Sequence, residues 1–315
     1  MYLISWASEL GKPEDATAQA VRAGLDVSGY RGWPRFCRAG DDDHPSTMAA
    51  RALRRALDSA GVKASELGAV IYTGVSRDYP ASWSVATEVV QLIGGSCIGL
   101  DITVGCLGLL IGIDLARAWL DRARLVAVVT AERWAYTVDR GAAENVAIWA
   151  HADGAAAVVC SSEGGRLRLL DTEYEARPEM NGTVFIKYGG TRYPTPPPSE
   201  SPHTRQLRSE LLGDLFAKYT ESLERVVRTV VRRSGAADFG LVCNQISPMI
   251  VRELERRVLD GRGAIPRTGD NFGHVGAADL VLGIEALESA GALVGDLVVA
   301  SSSPYTYAAA ALRVV

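Results

Sequence analysis

The run LDITVGCLGLLIGIDLARAWL, residues 100–120, constrains the fold more than any other stretch of this chain. A short apolar strand over 98–104 runs into Gly105-Cys106, and the apolar spacing then changes to that of an amphipathic helix. The chain therefore turns from strand to helix almost at Cys106. At such an elbow the first N–H groups of the helix are unpaired and its dipole end is positive, which favours negative charge on a sulfur placed there. Two readings of Cys106 follow: a nucleophile, or an inert small residue in an apolar run.

The remaining cysteines do not suggest a cross-linked scaffold. Five of them, at positions 37, 97, 106, 160 and 243, are odd in number, widely spaced and without a CxxC pair, which argues against a disulfide framework or a zinc site. A reducing cytoplasm fits best. The N-terminus lacks a basic segment followed by an apolar one, and no run approaches the length of a membrane span, so a soluble, intracellular chain is expected. A net charge of -4 leaves no electrostatic footprint for nucleic acid.

Around the elbow, strand and helix alternate. Residues 1–45 read as surface loop with little regular structure. Pro45-Ser46-Thr47 then opens a helix with apolar residues at 48, 52, 53, 57 and 60, which Gly61 stops. A buried strand at 69–73, a turn at 77–80, a helix at about 84–92 and a strand at 125–130 complete an α/β layer with a largely parallel sheet. Asp153-Gly154 lies between the apolar runs 146–150 and 153–160 and suggests strands folded back on each other. Residues 163–204 read as an irregular surface excursion ending in a proline-rich stretch, either a lid over a substrate entrance or a plain solvated loop. A long helix is expected over about 205–233, then a strand at 239–243, a helix to about 259, a helix at about 276–289 and strands at 297–300 and 305–315. The second half repeats the strand, elbow and helix order of the first, which points to two similar halves, 1–163 and 164–315.

In order and spacing, these residues resemble the ketoacyl synthase III group of the thiolase fold. The carriers are Pro45 to Ala49, the elbow Asp101 to Gly108, Val138-Asp-Arg-Gly141, Asp153 to Ala157, the run NFGHVGAA at 271–278 and Tyr305-Thr-Tyr307. The resemblance implies a five-layered α/β fold of two similar halves. It also implies a homodimer in which 97–103 pairs or packs across the two-fold axis, and a cysteine, here Cys106, that takes an acyl group from coenzyme A or an acyl carrier protein. No cofactor or metal is implied, since the thioester is the substrate. The family's His and Asn motifs fall on Asn244 and His274, so the two residue types stand exchanged. The backbone amides of Cys106 and Ser303 would form the oxyanion hole, with Ser302-Ser303-Pro304 in place of a triple glycine. Arg140 is the one match to the family's donor-binding arginines.

With this set, Cys106 is the expected nucleophile and His274 the base. Asn244 would orient the imidazole or hold the acceptor, and Asp279 reads as too far along its helix to help. Moving the imidazole disturbs an arrangement that stabilises a thioester enolate. Acyl transfer to a hydroxyl, amine or other small-molecule acceptor in specialised metabolism is therefore favoured over decarboxylative carbon–carbon bond formation. A catalytically silent partner subunit is the third reading.

Overall fold

A computed structural model describes residues 1–80, 82–200, 205–208 and 215–315. The strands of its first half are β1 (Tyr2–Leu10), β2 (Lys12–Asp15), β3 (Arg35–Arg38), β4 (Leu67–Tyr72), β5 (Ile98–Asp101), β6 (Leu125–Arg133) and β7 (Asp153–Ser161). Those of the second are β8 (Leu167–Ala176), β9 (Val184–Ile186), β10 (Arg205–Leu207), β11 (Phe239–Cys243), β12 (Asp296–Ser303) and β13 (Thr306–Val314). The helices used below are α1 (Ala18–Arg22), α2 (Pro45–Ala60), α3 (Val85–Leu92), α4 (Gly108–Trp119), α5 (Leu215–Ser234), α6 (Pro248–Leu254), α7 (Gly269–Phe272) and α8 (Asp279–Ser289).

Nine strands form one mixed sheet in the order β11-β12-β13-β8-β1-β7-β6-β4-β5. It consists of two series that meet only at Tyr2↔Arg168 and Leu3↔Leu167. In β1-β7-β6-β4 the successive pairings are antiparallel, antiparallel and parallel, and β8-β13-β12-β11 repeats them. Strand β5 extends the first series by a further parallel pairing. Helices α2 and α3 cover the outer face of the first series, and α5, with α6 packed against it, covers that of the second. Between them, α4 touches β6, β4 and β13, while α8 touches β11 and β12 as well as β1 and β7. These are the five layers of the thiolase fold.

Local chemistry accounts for the helix that opens the first half. The His44 N–H donates to Thr47 Oγ1 at 2.9 Å, Pro45 takes the first helical position, and Gly61 closes α2 at φ +65°. Met48, Ala49, Ala52, Leu53, Ala56 and Leu57 form its buried stripe. Strand β7, DGAAAVVCS, is buried along its whole length because helices lie on both of its faces.

Five expectations need correction. The sheet is not largely parallel: five of its eight pairings are antiparallel, because β1, β7 and β6, and likewise β8, β13 and β12, run back on one another. Residues 1–45 are not loop throughout, because β1 pairs with both β7 and β8 near the middle of the sheet, and β2 pairs with β3. Residues 163–204 contain the ten-residue β8, whose charged outward positions meet arginines of α5 instead of water: Arg233 holds Asp171 at 2.7 Å and Arg225 holds Glu175. Residues 146–150 belong to no strand; Ala143–Ile148 is a 3₁₀ segment, and Asp153 begins β7 instead of making a hairpin turn. The helix expected over 205–233 is described over Leu215–Ser234, while 205–207 are not helical and form β10 against β9. The end of the proline-rich stretch, 201–204, and residues 209–214 lie outside the described residues. No helix among the described residues is long and apolar enough to cross a membrane.

Candidate active site

Two elbows face each other at the centre of the molecule. In the first, Val104 leads to Gly105 at φ +65°, a 3₁₀ turn Gly105–Leu107 and then α4. In the second, Val275 leads to Gly276, also at φ +65°, a 3₁₀ turn Gly276–Ala278 and then α8. The sequences VGCLG and VGAAD therefore adopt one backbone path, and the repeated strand series brings them together. The left-handed glycine is required in both. A Cβ at Gly105 would stand 3.0 Å from Ser303 Cβ, and one at Gly276 would stand 2.9 Å from Glu132 Cγ.

The first elbow carries Cys106, and the second carries two residues aligned with it. His274 Nε2 lies 3.4 Å from Cys106 Sγ, and His274 Nδ1 lies 2.5 Å from Asp279 Oδ2. Asp279, fully buried, also accepts the Gln245 N–H at 2.6 Å and the Val275 N–H at 2.8 Å, so its carboxylate is locked in place. With Asp279 accepting at Nδ1, the imidazole presents Nε2 to the sulfur. Burial works against charge on this ring, yet Asp279 and negative charge on Cys106 prevail and raise the His274 pKa to about 10.

Asp279 was underestimated from sequence. Five residues beyond His274 on a continuous helix it would point elsewhere, but the left-handed Gly276 folds the chain back and sets Asp279 at the first position of α8 under the ring. The only signal was an acidic residue at a helix start after a glycine.

Asn244 does not orient the imidazole. It follows β11, is buried, and its Nδ2 donates to the Ser302 carbonyl at 2.9 Å. Ser303, at the end of β12, lies beside Gly105, and its Oγ is 2.8 Å from Thr306 Oγ1. The neighbouring Ser301 Oγ donates to the Cys106 carbonyl at 2.7 Å, which ties β12 to the elbow. Arg140 departs from its expected donor-binding role. Its guanidinium is buried against the Phe36 ring and donates to the carbonyls of Trp149, Ala135 and His151 at 2.7, 2.9 and 2.6 Å, so it braces the loop before β7.

Sequence reasoning also missed a ring cluster beside His274. His151 and Trp134 have ring centroids 5.1 and 5.3 Å from that of His274, and Arg205 lies over Trp134 and against His151. His151, one of four histidines in the chain, was the available signal.

Comparison with known proteins bears on the fold that carries this site. Residues 100–178 match the 3-oxoacyl-[acyl-carrier-protein (ACP)] synthase III family. A β-ketoacyl-[acyl-carrier-protein] synthase III of Rhizorhabdus wittichii is 28% identical over 292 residues, covering 87% of this chain and 86% of the relative. One of Streptomyces avermitilis is 25% identical over 307 residues, covering 86% and 83%. Among solved structures, a 3-oxoacyl-(acyl carrier protein) synthase III of Pseudomonas aeruginosa has a TM-score of 0.82 at 20% identity, over 100% of this chain and 99% of that one. A priming β-ketosynthase of a polyketide biosynthetic pathway has a TM-score of 0.86 at 18% identity, over 99% and 96%. At these identities the solved structures establish the shared fold.

Proposed function

We propose, for a chain that belongs to the ketoacyl synthase III-like group of the thiolase fold, an acyltransferase that works through an acyl-enzyme on Cys106. The observation that carries this reading is the Cys106–His274–Asp279 alignment. The sulfur attacks the carbonyl of a thioester borne by coenzyme A or an acyl carrier protein. A carbon–sulfur bond forms to Cys106, the donor's carbon–sulfur bond breaks, and the departing thiol takes the proton of His274. The amides of Cys106 and Ser303 are the proposed oxyanion donors. In the second step a hydroxyl or amine attacks the acyl carbon, His274 Nε2 takes its proton, and the Cys106 sulfur leaves.

Acylation itself prepares the base. While the sulfur is ionised its charge helps to hold the proton on His274, and esterification removes that charge, leaving burial opposed by Asp279 alone. The imidazole at the position of the family's Asn favours heteroatom transfer, and Asn244, which gives one of its two Nδ2 N–H groups to the Ser302 carbonyl, has a single N–H left for a thioester enolate. The names of the relatives favour the second reading, decarboxylative condensation. A silent partner subunit would have no use for a locked Asp279. A cytoplasmic location and a homodimer are part of the proposal.

Mass spectrometry of the intact protein after incubation with acyl pantetheine thioesters tests it. One acyl group should add to the wild type and none to Cys106→Ala. Labelling of that variant to the same extent at another residue would overturn the assignment. Release of carbon dioxide from a malonyl thioester, with no ester or amide product from any acceptor, would favour condensation instead.

A further inference from the structure

Beside the Cys106–His274 pair lies a buried cation that acyl transfer, as described so far, does not use. Arg205, in β10, is 8% exposed, and its Nη1 lies 2.9 Å from His151 Nδ1. Its guanidinium sits over the Trp134 ring, 4.3 Å from the centroid. Arginine only donates, so His151 Nδ1 must accept with its lone pair. Burial, then the charges of Arg205, His274 and Arg140, hold His151 well below the usual histidine range, so the ring is neutral and its proton sits on Nε2. The pair therefore offers a cationic fork and a neighbouring N–H.

No carboxylate among the described residues lies within salt-bridge reach of Arg205; Glu132 acts on it only across a distance, and Glu132 is itself engaged by the Val75 and Ser76 N–H groups. Among the described residues Arg205 has no hydrogen-bond partner other than His151 Nδ1. Trp134 Nε1, in the same cluster, is buried and unpartnered. Burying a guanidinium without a counter-ion is costly, and a planar fork of donors matches a carboxylate in shape and charge.

We propose that Arg205, oriented by His151, receives a carboxylate carried by one of the two substrates of the Cys106 reaction. The inference rests on the acyl-enzyme reading above and adds a substrate class to it. The spacing suits this role: His151 packs against His274, His274 touches Cys106, and Arg205 is near enough to Cys106 for their charges to interact. The carboxylate is one that survives the reaction. Its attraction to Arg205 would be lost as neutral carbon dioxide formed, so the site holds the ground state of a decarboxylation and not its transition state.

Two matched probe pairs test the proposal and separate its sources. Butyryl and succinyl pantetheine differ in a terminal methyl against a carboxylate on the acyl chain; 1-butanol and 4-hydroxybutyrate differ in the same way on the acceptor. Wild-type enzyme should prefer the carboxylated member by about 10- to 100-fold in one arm, read as the rate of Cys106 loading or of transfer, and that arm identifies the carrier. Arg205→Gln should cut the preference to less than about 3-fold while the rate with the neutral member and the melting temperature stay near wild type. His151→Phe keeps the cation but frees it, so KM for the carboxylated member should rise with kcat little changed. Equal rates within both pairs in the wild type, or a preference that Arg205→Gln retains, would overturn the proposal. If neither butyryl nor succinyl pantetheine labels wild-type Cys106, the acyl-enzyme reading has failed instead. Calorimetric titration with succinate then decides for Arg205: binding lost in Arg205→Gln supports the site, and equal or absent binding in both proteins rejects it.

Discussion

His274 separates loading from transfer. An alcohol attacks only with a positioned base, worth about 10²- to 10⁴-fold, whereas the sulfur at a helix start needs less help. His274→Ala should accept an acyl group slowly, accumulate acyl-enzyme and lose turnover by that factor; unchanged acceptor-dependent turnover would exclude the imidazole as base. Asp279→Asn tests the support behind the ring. The carboxylate accepts from His274, Gln245 and Val275 at once, so whichever way the new amide points, its NH₂ group meets a backbone N–H. The variant should lose about 1–3 kcal/mol of stability by thermal unfolding and transfer about 10²-fold more slowly. The pH dependence has a definite sign. A folded-state pKa raised from 6.5 to about 10 gives a stabilising contribution that is complete below 6.5 and is lost as pH rises through about 10. An NMR titration should show His274 protonated to about pH 10 in the free enzyme and losing its proton at lower pH in Cys106→Ala, where the sulfur's charge is gone. The same value in both proteins would mean that Cys106 does not act on the ring.

Three glycines share φ +65° but not their surroundings: a Cβ added at Gly61 would meet nothing within 4 Å, whereas one at Gly105 or Gly276 would meet Ser303 or Glu132. Gly61→Ala should cost only the left-handed penalty of about 1–2 kcal/mol. Gly105→Ala should in addition displace the cysteine elbow and slow loading in single-turnover measurements. Gly276→Ala should leave loading near wild type and slow transfer, because it moves His274 and Asp279. Identical kinetics for all three variants would show that neither elbow depends on its glycine. These elements also show what a reader of the sequence can and cannot recover. The cysteine elbow was legible because an apolar run and a helical period meet at Gly105, and His274 because it falls on a recognisable glycine-rich run. Asp279 was not, since its approach to the ring depends on one dihedral angle at Gly276. Strand β1 was hidden because its partners are remote in sequence, and β8 because Asp171, Glu173 and Glu175 pair with arginines of α5, giving a half-buried strand the composition of a loop.

At the scale of the molecule the two strand series differ in one respect, and it bears on assembly. The series β1-β7-β6-β4 is extended by β5, while its counterpart stops at β11, so among the described residues the sheet ends on one side in a short strand with no equivalent. Ile98, which begins β5, is 48% exposed, and the strand's outer edge presents unpaired backbone groups. Covering that edge with the same strand of a second copy satisfies both sets of groups by a two-fold operation and buries the isoleucine. The Cys106 elbow follows β5 by four residues, so such a contact would brace the nucleophile from outside the subunit. Light scattering at micromolar concentration should give twice the 33.6 kDa chain mass. Ile98→Lys, which puts a charge where the contact would bury an isoleucine, should shift the population to the monomer and slow Cys106 loading with it. A monomer in the wild type would rule out the pairing. A dimer that Ile98→Lys leaves intact would place the interface elsewhere.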